Sequence, residues 1–153
     1  PRVESELIRR GLKAEYVLLT HCHFDHVGGV AALRSAGAKV LCSTAEKPLI
    51  GTAADLFEAF GAPRTPFRVD ETLSDGETRN FCGIEIRTLF TPGHTRGGAC
   101  YLATDTDGKK YGRYPVRGQY RQNGFPDGGY RRTSRKFETA RRARRGYARI
   151  CGA

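Results

Sequence analysis

Six consecutive residues, 21–26, bring together side chains that can bind a metal ion. The segment reads His-Cys-His-Phe-Asp-His, so it carries three imidazoles and one carboxylate, and both groups bind Zn²⁺ or similar ions. Because side chains alternate along an extended backbone, His21 and His23 are expected to point to the same side and bind one ion together. Asp25 and His26 continue around the loop and are placed to face a second ion.

The flanking sequence predicts that both histidine segments follow strands. Residues 16–20 are apolar and β-prone and predict a buried strand before the histidine-rich segment, and residues 84–87 alternate as a half-buried strand should. His94, the remaining histidine, follows the second of these strands in the segment Thr91-Pro92-Gly93-His94-Thr95. All four histidines are therefore predicted to lie in loops at strand ends, with none inside a helix or strand.

The other elements predict an α/β layer arrangement. Helices are expected at residues 3–10, 28–36 and 55–60, and strands at residues 39–42 and 99–102. Asp75-Gly76 is a turn signal that predicts a hairpin between strands near residues 69–73 and 78–81.

The net charge of +10 is distributed unevenly along the 153 residues. Residues 1–107 carry 12 Lys or Arg and 14 Asp or Glu, whereas residues 108–153 carry 14 Lys or Arg, two acidic residues and no Leu. One globular domain is not expected to change composition so sharply. We therefore predict a partial domain at residues 1–108 and a poorly ordered Arg/Gly-rich tail at residues 109–153.

The cysteines and the apolar runs indicate a cellular compartment. Five cysteines, an odd number with no Cys-x-x-Cys pair, predict free thiols in a reducing compartment, and we expect the cytoplasm. No apolar run of 18 residues and no secretion leader occur, so no membrane association is expected. The chain begins with Pro1 and contains no Met, from which we expect an N-terminal truncation.

The motif His21-x-His23-x-Asp25-His26, followed by Thr91-Pro92-Gly93-His94-Thr95, resembles that of the metallo-β-lactamase-fold hydrolase superfamily. The preceding Leu-Leu-Thr and the following Val-Gly-Gly fit as well, and the resemblance covers about residues 2–107. The form of the second motif is similar to small hydrolases of the glyoxalase II (hydroxyacylglutathione hydrolase) type rather than to the longer nuclease branch.

The resemblance implies an αβ/βα sandwich and a set of metal ligands. It implies that His21, His23 and His94 hold one ion and that Asp25 and His26 hold the other, as one or two Zn²⁺ ions, with Fe or Mn as alternatives. It also implies a metal-activated hydroxide that attacks a thioester, or another ester or amide carbonyl, of a small-molecule substrate. Asp25 would orient the attacking water.

Three positions depart from the family pattern or vary within it. Cys22 occupies a variable position and is not expected to be a ligand. An aspartate that bridges both ions, in a segment of the type T-G-D-T-L-F, is missing. A last histidine in a late G-H-G is missing too, because no His follows His94.

A shifted reading frame would account for both missing ligands. Tyr111 to Arg117 can be encoded by TAC GGG AGA TAC CCT GTT CGC, and reading one base later gives ACG GGA GAT ACC CTG TTC, which encodes T-G-D-T-L-F. Similar shifts give family-like words up to residues 147–153, where the missing His appears. We hypothesise that residues from about 109 onward are frame-shifted, and we predict little or no activity for this chain.

Two other interpretations remain open. The Arg, Gly and Tyr residues of 108–153 are also typical of a nucleic-acid-binding tail, which would fit the nuclease branch of the superfamily. The chain can also be a catalytically impaired remnant with one weak metal site. The reading-frame hypothesis explains the same arginines without a function, so nucleic acid is not the expected partner. The sequence indicates no oligomeric state.

Overall fold

Two β-sheets form the centre of the protein. The computed structural model describes residues 2–104, 108 and 110–113, with a three-stranded sheet in the order β1-β2-β3 and a four-stranded sheet in the order β4-β5-β6-β7. The strands are β1 Tyr16–Leu18, β2 Lys39–Ser43, β3 Glu71–Leu73, β4 Thr78–Phe81, β5 Ile84–Phe90, β6 Ala99–Thr104 and β7 Lys110–Arg113. The helices are α1 Arg2–Arg9, α2 Phe24–Val27 and α3 Val30–Ser35, with 3₁₀ helices at Lys47–Leu49 and Ala53–Asp55.

The first sheet is parallel, and β2 is its central strand. Parallel sheets are covered on both faces, which explains why this strand is apolar along most of its length. Val40 and Cys42 pack with Val27 and Val30 on the helical side of the sheet. Leu41, which points the opposite way by alternation, belongs to a separate core cluster.

That second cluster joins the two sheets. Leu41 and Leu73 of the first sheet are buried with Phe81 of the antiparallel second sheet, and Ile86 and Tyr101 pack against them. The helices thus pack on one face of the parallel sheet, and the antiparallel sheet packs on its other face. The predicted α/β class and the sandwich arrangement are confirmed for this part of the chain.

Two hydrogen bonds fix the end of β1 against the start of β6. The Ala99 N–H donates to the Thr20 carbonyl oxygen over 2.8 Å, and the Tyr101 hydroxyl donates to the Leu19 carbonyl oxygen over 2.8 Å. The loop that follows β1 is thereby held beside the second sheet.

The predicted hairpin at Asp75-Gly76 is wrong. β3 pairs with β2 in the parallel sheet, whereas β4 pairs with β5 in the antiparallel sheet. The turn therefore connects two sheets. The reason is packing, because the apolar side chains of both strands are used to bury the faces between the sheets.

The helix predicted at residues 55–60 is also wrong. The chain forms only the 3₁₀ helix Ala53–Asp55 and then turns. Leu56 adopts a left-handed conformation, with φ of 64°, and this ends the helical backbone.

The second sheet extends beyond the boundary predicted at residue 108. β7 pairs with β6 over four residues, with Lys110 opposite Thr104 and Arg113 opposite Tyr101. The rest of the predicted tail, residues 114–153, lies outside the described residues.

The structure describes four of the five cysteines and the helices of this part of the chain. Cys22, Cys42 and Cys100 are buried, and no disulfide joins cysteines in the part of the chain that the structure describes. None of the helices described is long and apolar enough to cross a membrane.

Candidate metal centre

The two histidine loops start from different sheets and end at the same place. The first leaves β1 through Leu19 and Thr20, and the second leaves β5 at Phe90. The second loop is closed by its own backbone: the Thr91 N–H donates to the Gly98 carbonyl oxygen over 2.7 Å, and the Gly93 N–H donates to that of Thr95 over 3.0 Å. His94 therefore stands on a tight, internally bonded turn.

His21, His23 and His94 converge in space. One ligand atom from each lies within 4.8 Å of the others, an arrangement that can hold a metal ion. Their ring centroids are 4.8 Å apart for His21 and His23, 4.7 Å for His21 and His94, and 4.4 Å for His23 and His94. The side chains at positions 21 and 23 thus face one point, as their alternation predicts.

His21 has the hydrogen-bonding pattern of a ligand. Its Nδ1 lies 3.0 Å from Thr20 Oγ1, whereas its buried Nε2 has no hydrogen-bond partner among the described residues. In the tautomer protonated at Nδ1, this ring donates to Thr20 and keeps the Nε2 lone pair free, as metal-binding histidines do. A buried nitrogen left without a partner is costly in a folded protein, and a metal ion would satisfy it.

The surroundings of His21 and His23 favour the neutral imidazole, which is the form that binds metal. Burial, followed by the neighbouring rings of His26, His23 and His94, lowers the pKa of His21 to about 3. Burial, followed by His94, also lowers the pKa of His23.

Asp25 and His26 lie at the exposed rim of this cluster. The Oδ2 of Asp25 lies 3.6 Å from the Nε2 of His26, and their side chains are 60% and 45% exposed. The His26 ring centroid lies 4.1 Å from that of His21. Both residues belong to α2, so the prediction that no histidine lies in a helix is wrong for His26. The His26 ring thus stands beside that of His21, and the role of Asp25 and His26 as ligands stays a prediction.

Cys22 faces away from the cluster. Its Sγ lies 3.9 Å from the Ala54 carbonyl oxygen, and burial, followed by a hydrogen bond to Glu46, raises the pKa of the thiol. A protonated thiol in an interior position fits the expectation that Cys22 is not a ligand.

Glu46 also belongs to this site, although the sequence analysis did not single it out. This residue follows β2 and is fully buried between the two histidine loops. One signal for it was available, because the carboxyl ends of adjacent parallel strands meet at one edge of a sheet. A carboxylate just after β2 is therefore brought close to the loop that follows β1.

Comparison with known proteins agrees with this geometry. The profile of the Metallo-beta-lactamase superfamily matches residues 5–107. A hydroxyacylglutathione hydrolase of Acidiphilium cryptum is 38% identical over 96 residues, which are 62% of this chain and 33% of the relative. One from Brucella anthropi is 30% identical over 104 residues, 67% of this chain and 34% of the relative. The chain thus spans about a third of the length of these curated relatives.

Solved structures show the same fold. A metallo-β-lactamase of Cronobacter sakazakii with a HARLDQ motif superposes with a TM-score of 0.71 at 25% identity, over 91% of this chain and 59% of that chain. The FEZ-1 metallo-β-lactamase of Legionella gormanii, at 24% identity, gives a TM-score of 0.63 over 92% of this chain and 58% of that chain.

The relatives also confirm the resemblance to the glyoxalase II type, because those matched by sequence are named hydroxyacylglutathione hydrolases. The profile match covers more than half of the chain and includes both histidine motifs. The chain belongs to the Metallo-beta-lactamase superfamily.

Proposed function

We propose that this chain carries the first metal site of a metal-dependent hydrolase, with His21, His23 and His94 as ligands. One observation supports this most strongly. Three imidazoles from two sheets have ligand atoms within 4.8 Å of one another, and one of them has a buried Nε2 with no hydrogen-bond partner among the described residues. A core made only for packing would not leave that nitrogen unsatisfied.

A divalent ion at this site would lower the pKa of a water molecule and polarise a substrate carbonyl. The residues of the chain would hold the ion in place and orient the attacking water. The imidazoles of His21 and His23, which are buried, would hold the ion, whereas Asp25 is exposed at the rim and would accept a hydrogen bond from the attacking water. Asp25 and His26 are the proposed ligands of a second ion. Zinc is the proposed metal, and iron also suits imidazole ligands.

The proposed substrate is a small molecule with a thioester, such as an acylglutathione. The names of the sequence relatives support this choice, as does the form of the motif around His94. Other esters and amides are alternative substrates for the same reaction, because each presents a polarisable carbonyl.

The second metal site is proposed to be incomplete. No segment of the T-G-D-T-L-F type can be read in the chain, and no histidine follows His94. Without a bridging carboxylate, Asp25 and His26 offer a second ion only two ligands. We expect the chain to hold one ion firmly and to turn substrate over slowly or not at all.

Zinc content and hydrolysis, measured on the same tag-free preparation, test this proposal. The full chain is loaded with zinc, dialysed, and assayed on a thioester and on a lactam. One retained ion with little or no turnover is the expected result. Robust turnover that His21→Ala abolishes would contradict the incomplete second site, and absence of bound zinc would contradict the function itself.

The compartment and the partners belong to the same proposal. The buried thiols Cys22, Cys42 and Cys100 are consistent with the reducing conditions of the cytoplasm. The basic segment that would bind nucleic acid lies almost entirely outside the described residues. The hydrolase names of the relatives favour a small-molecule substrate over nucleic acid.

A further inference from the structure

Glu46 is a buried carboxylate that the proposed metal site does not use as a ligand. Its residue exposure is 0%, and it lies in the turn that follows β2. Buried carboxylates are rare and persist where both oxygens are hydrogen-bonded. What satisfies Glu46 therefore indicates what it does.

Each oxygen of this carboxylate binds one of the two histidine loops. Oε1 accepts a hydrogen bond from the Cys22 backbone N–H over 2.8 Å, and Oε2 accepts one from the Thr95 hydroxyl over 2.7 Å. Cys22 stands between His21 and His23, and Thr95 directly follows His94. One side chain thus connects the backbone of the first loop to the loop that supplies the third imidazole.

The backbone of Glu46 touches the second loop as well. The Ser43 hydroxyl accepts a hydrogen bond from the Glu46 N–H over 3.0 Å and donates one to the Gly97 carbonyl oxygen. A Cβ added to Gly97 would lie 2.1 Å from the Glu46 nitrogen. The turn that contains Glu46 therefore packs directly against the loop that contains His94.

We propose that Glu46 is a positioning residue that holds the two histidine loops at metal-binding distance and thereby sets the affinity of the first ion. The inference rests on the proposed metal site and adds the device that preorganises it. Loss of a residue that supports metal ligands without binding the ion commonly lowers metal affinity by about 10- to 100-fold. An effect of that size is expected here, transmitted through Cys22 and Thr95.

Variants of both ends of the connection test this role in the full chain. Glu46→Leu removes both acceptors at similar volume. Thr95→Val removes only the hydroxyl to the second loop, and Thr95→Ser retains it. Asp55→Asn is the matched control, because Asp55 is a buried carboxylate that instead binds Arg64 and the N–H groups of nearby residues.

The readouts are the zinc dissociation constant, obtained by competition with a chelator, and the absorption spectrum of bound Co²⁺. Urea unfolding of each metal-free variant identifies the conditions in which it is folded. Glu46→Leu and Thr95→Val are expected to weaken zinc binding by about 10- to 100-fold and to alter the Co²⁺ spectrum. Thr95→Ser and Asp55→Asn are expected to bind zinc as the parent chain does.

A double variant separates positioning from general destabilisation. If Glu46 and Thr95 act together, Thr95→Val weakens zinc binding less in a Glu46→Leu background than in the parent chain. Unchanged zinc affinity in folded Glu46→Leu and Thr95→Val would overturn the inference, and so would equal losses in Asp55→Asn. If Glu46→Leu does not fold, the contrast between Thr95→Val and Thr95→Ser decides alone. A parent chain that binds no zinc would overturn the proposed function and this inference together.

Discussion

The rings of His21 and His94 lie 4.7 Å apart, edge to face, although one follows the parallel sheet and the other follows the antiparallel sheet. The candidate metal centre is therefore formed across the sandwich. The three imidazoles proposed for the first ion come from both loops, so binding of that ion depends on the packing of the two sheets. An ion bound there would in turn stabilise that packing, because it binds only the folded form.

Loss of His94 is expected to remove the contribution of the second sheet to the first ion. In His94→Ala the two remaining imidazoles come from one loop. Loss of a residue that only supports the ligands lowers metal affinity by about 10- to 100-fold, and the loss of a ligand should lower zinc affinity by more than that. Competition with a chelator measures this change. His26→Ala is the control and is expected to retain the first ion. Equal zinc affinity in His94→Ala and the parent chain would contradict the assigned ligand set.

Gly97→Ala is expected to destabilise the protein by about 1–3 kcal/mol, the usual cost of overpacking a filled interior. The added Cβ would lie 2.1 Å from the Glu46 nitrogen and 2.3 Å from the Ala45 carbonyl carbon. These are backbone atoms, so the loop itself must shift. Urea unfolding of the metal-free chain gives the free energy difference.

Gly29→Ala is the matched control for that substitution. An added Cβ at Gly29 meets no atom within 4 Å, and its φ of −99° suits an alanine. A change within about 0.5 kcal/mol is expected. A Gly97→Ala variant as stable as Gly29→Ala would show that the Glu46 turn and the His94 loop are not in close contact.

Asp70 is expected to make stability depend on pH in the acid range. Hydrogen bonds from Arg34 and then from the Val40 N–H lower the pKa of Asp70 from 3.8 to about 2. Because this folded-state value lies below the unfolded one, the stabilisation is complete above about pH 4 and is lost as pH falls towards about 2.

The comparison of Asp70→Asn with the parent chain measures this contribution. The variant should unfold at lower urea concentration at pH 7, and the gap between the two midpoints should shrink between about pH 4 and about pH 2. Glu58→Gln changes an exposed carboxylate and is expected to leave the midpoint unchanged throughout. A gap for Asp70→Asn that does not vary with pH would contradict the ion pair.

The reading-frame hypothesis predicts the nucleotides of the gene. The codons from Tyr111 onward, read one base later, should encode T-G-D-T-L-F and the family-like words that follow. Sequencing the gene tests this directly. An intact frame whose codons do not yield these words would refute the hypothesis. A chain made in the restored frame is expected to bind a second zinc ion.

The sequence predicted the site better than the connections between elements. Alternation along extended backbone correctly placed His21 and His23 toward one point, because that rule is local. The turn at Asp75-Gly76 was assigned to a hairpin because its local signal is the same whether the next strand pairs with the previous one or crosses to another sheet. Only the packing of Leu41, Leu73 and Phe81 decides between these outcomes.

Glu46 shows what local patterns leave out. Its position after β2 predicts a turn, but its burial depends on the Cys22 N–H and the Thr95 hydroxyl, which come from distant parts of the chain. The helix at residues 55–60 failed for a related reason. The backbone around Asp55 is used to satisfy its carboxylate, which accepts from the Gly51 and Phe57 N–H groups, and no helix continues.

The most direct test of the account is the number of zinc ions held by each chain. Tag-free protein is loaded with zinc, dialysed against metal-free buffer and measured by atomic emission, beside the triple variant His21→Ala, His23→Ala, His94→Ala. One retained ion is expected in the parent chain and none in the triple variant. No retained ion in the parent chain, or equal retention in both proteins, would contradict it.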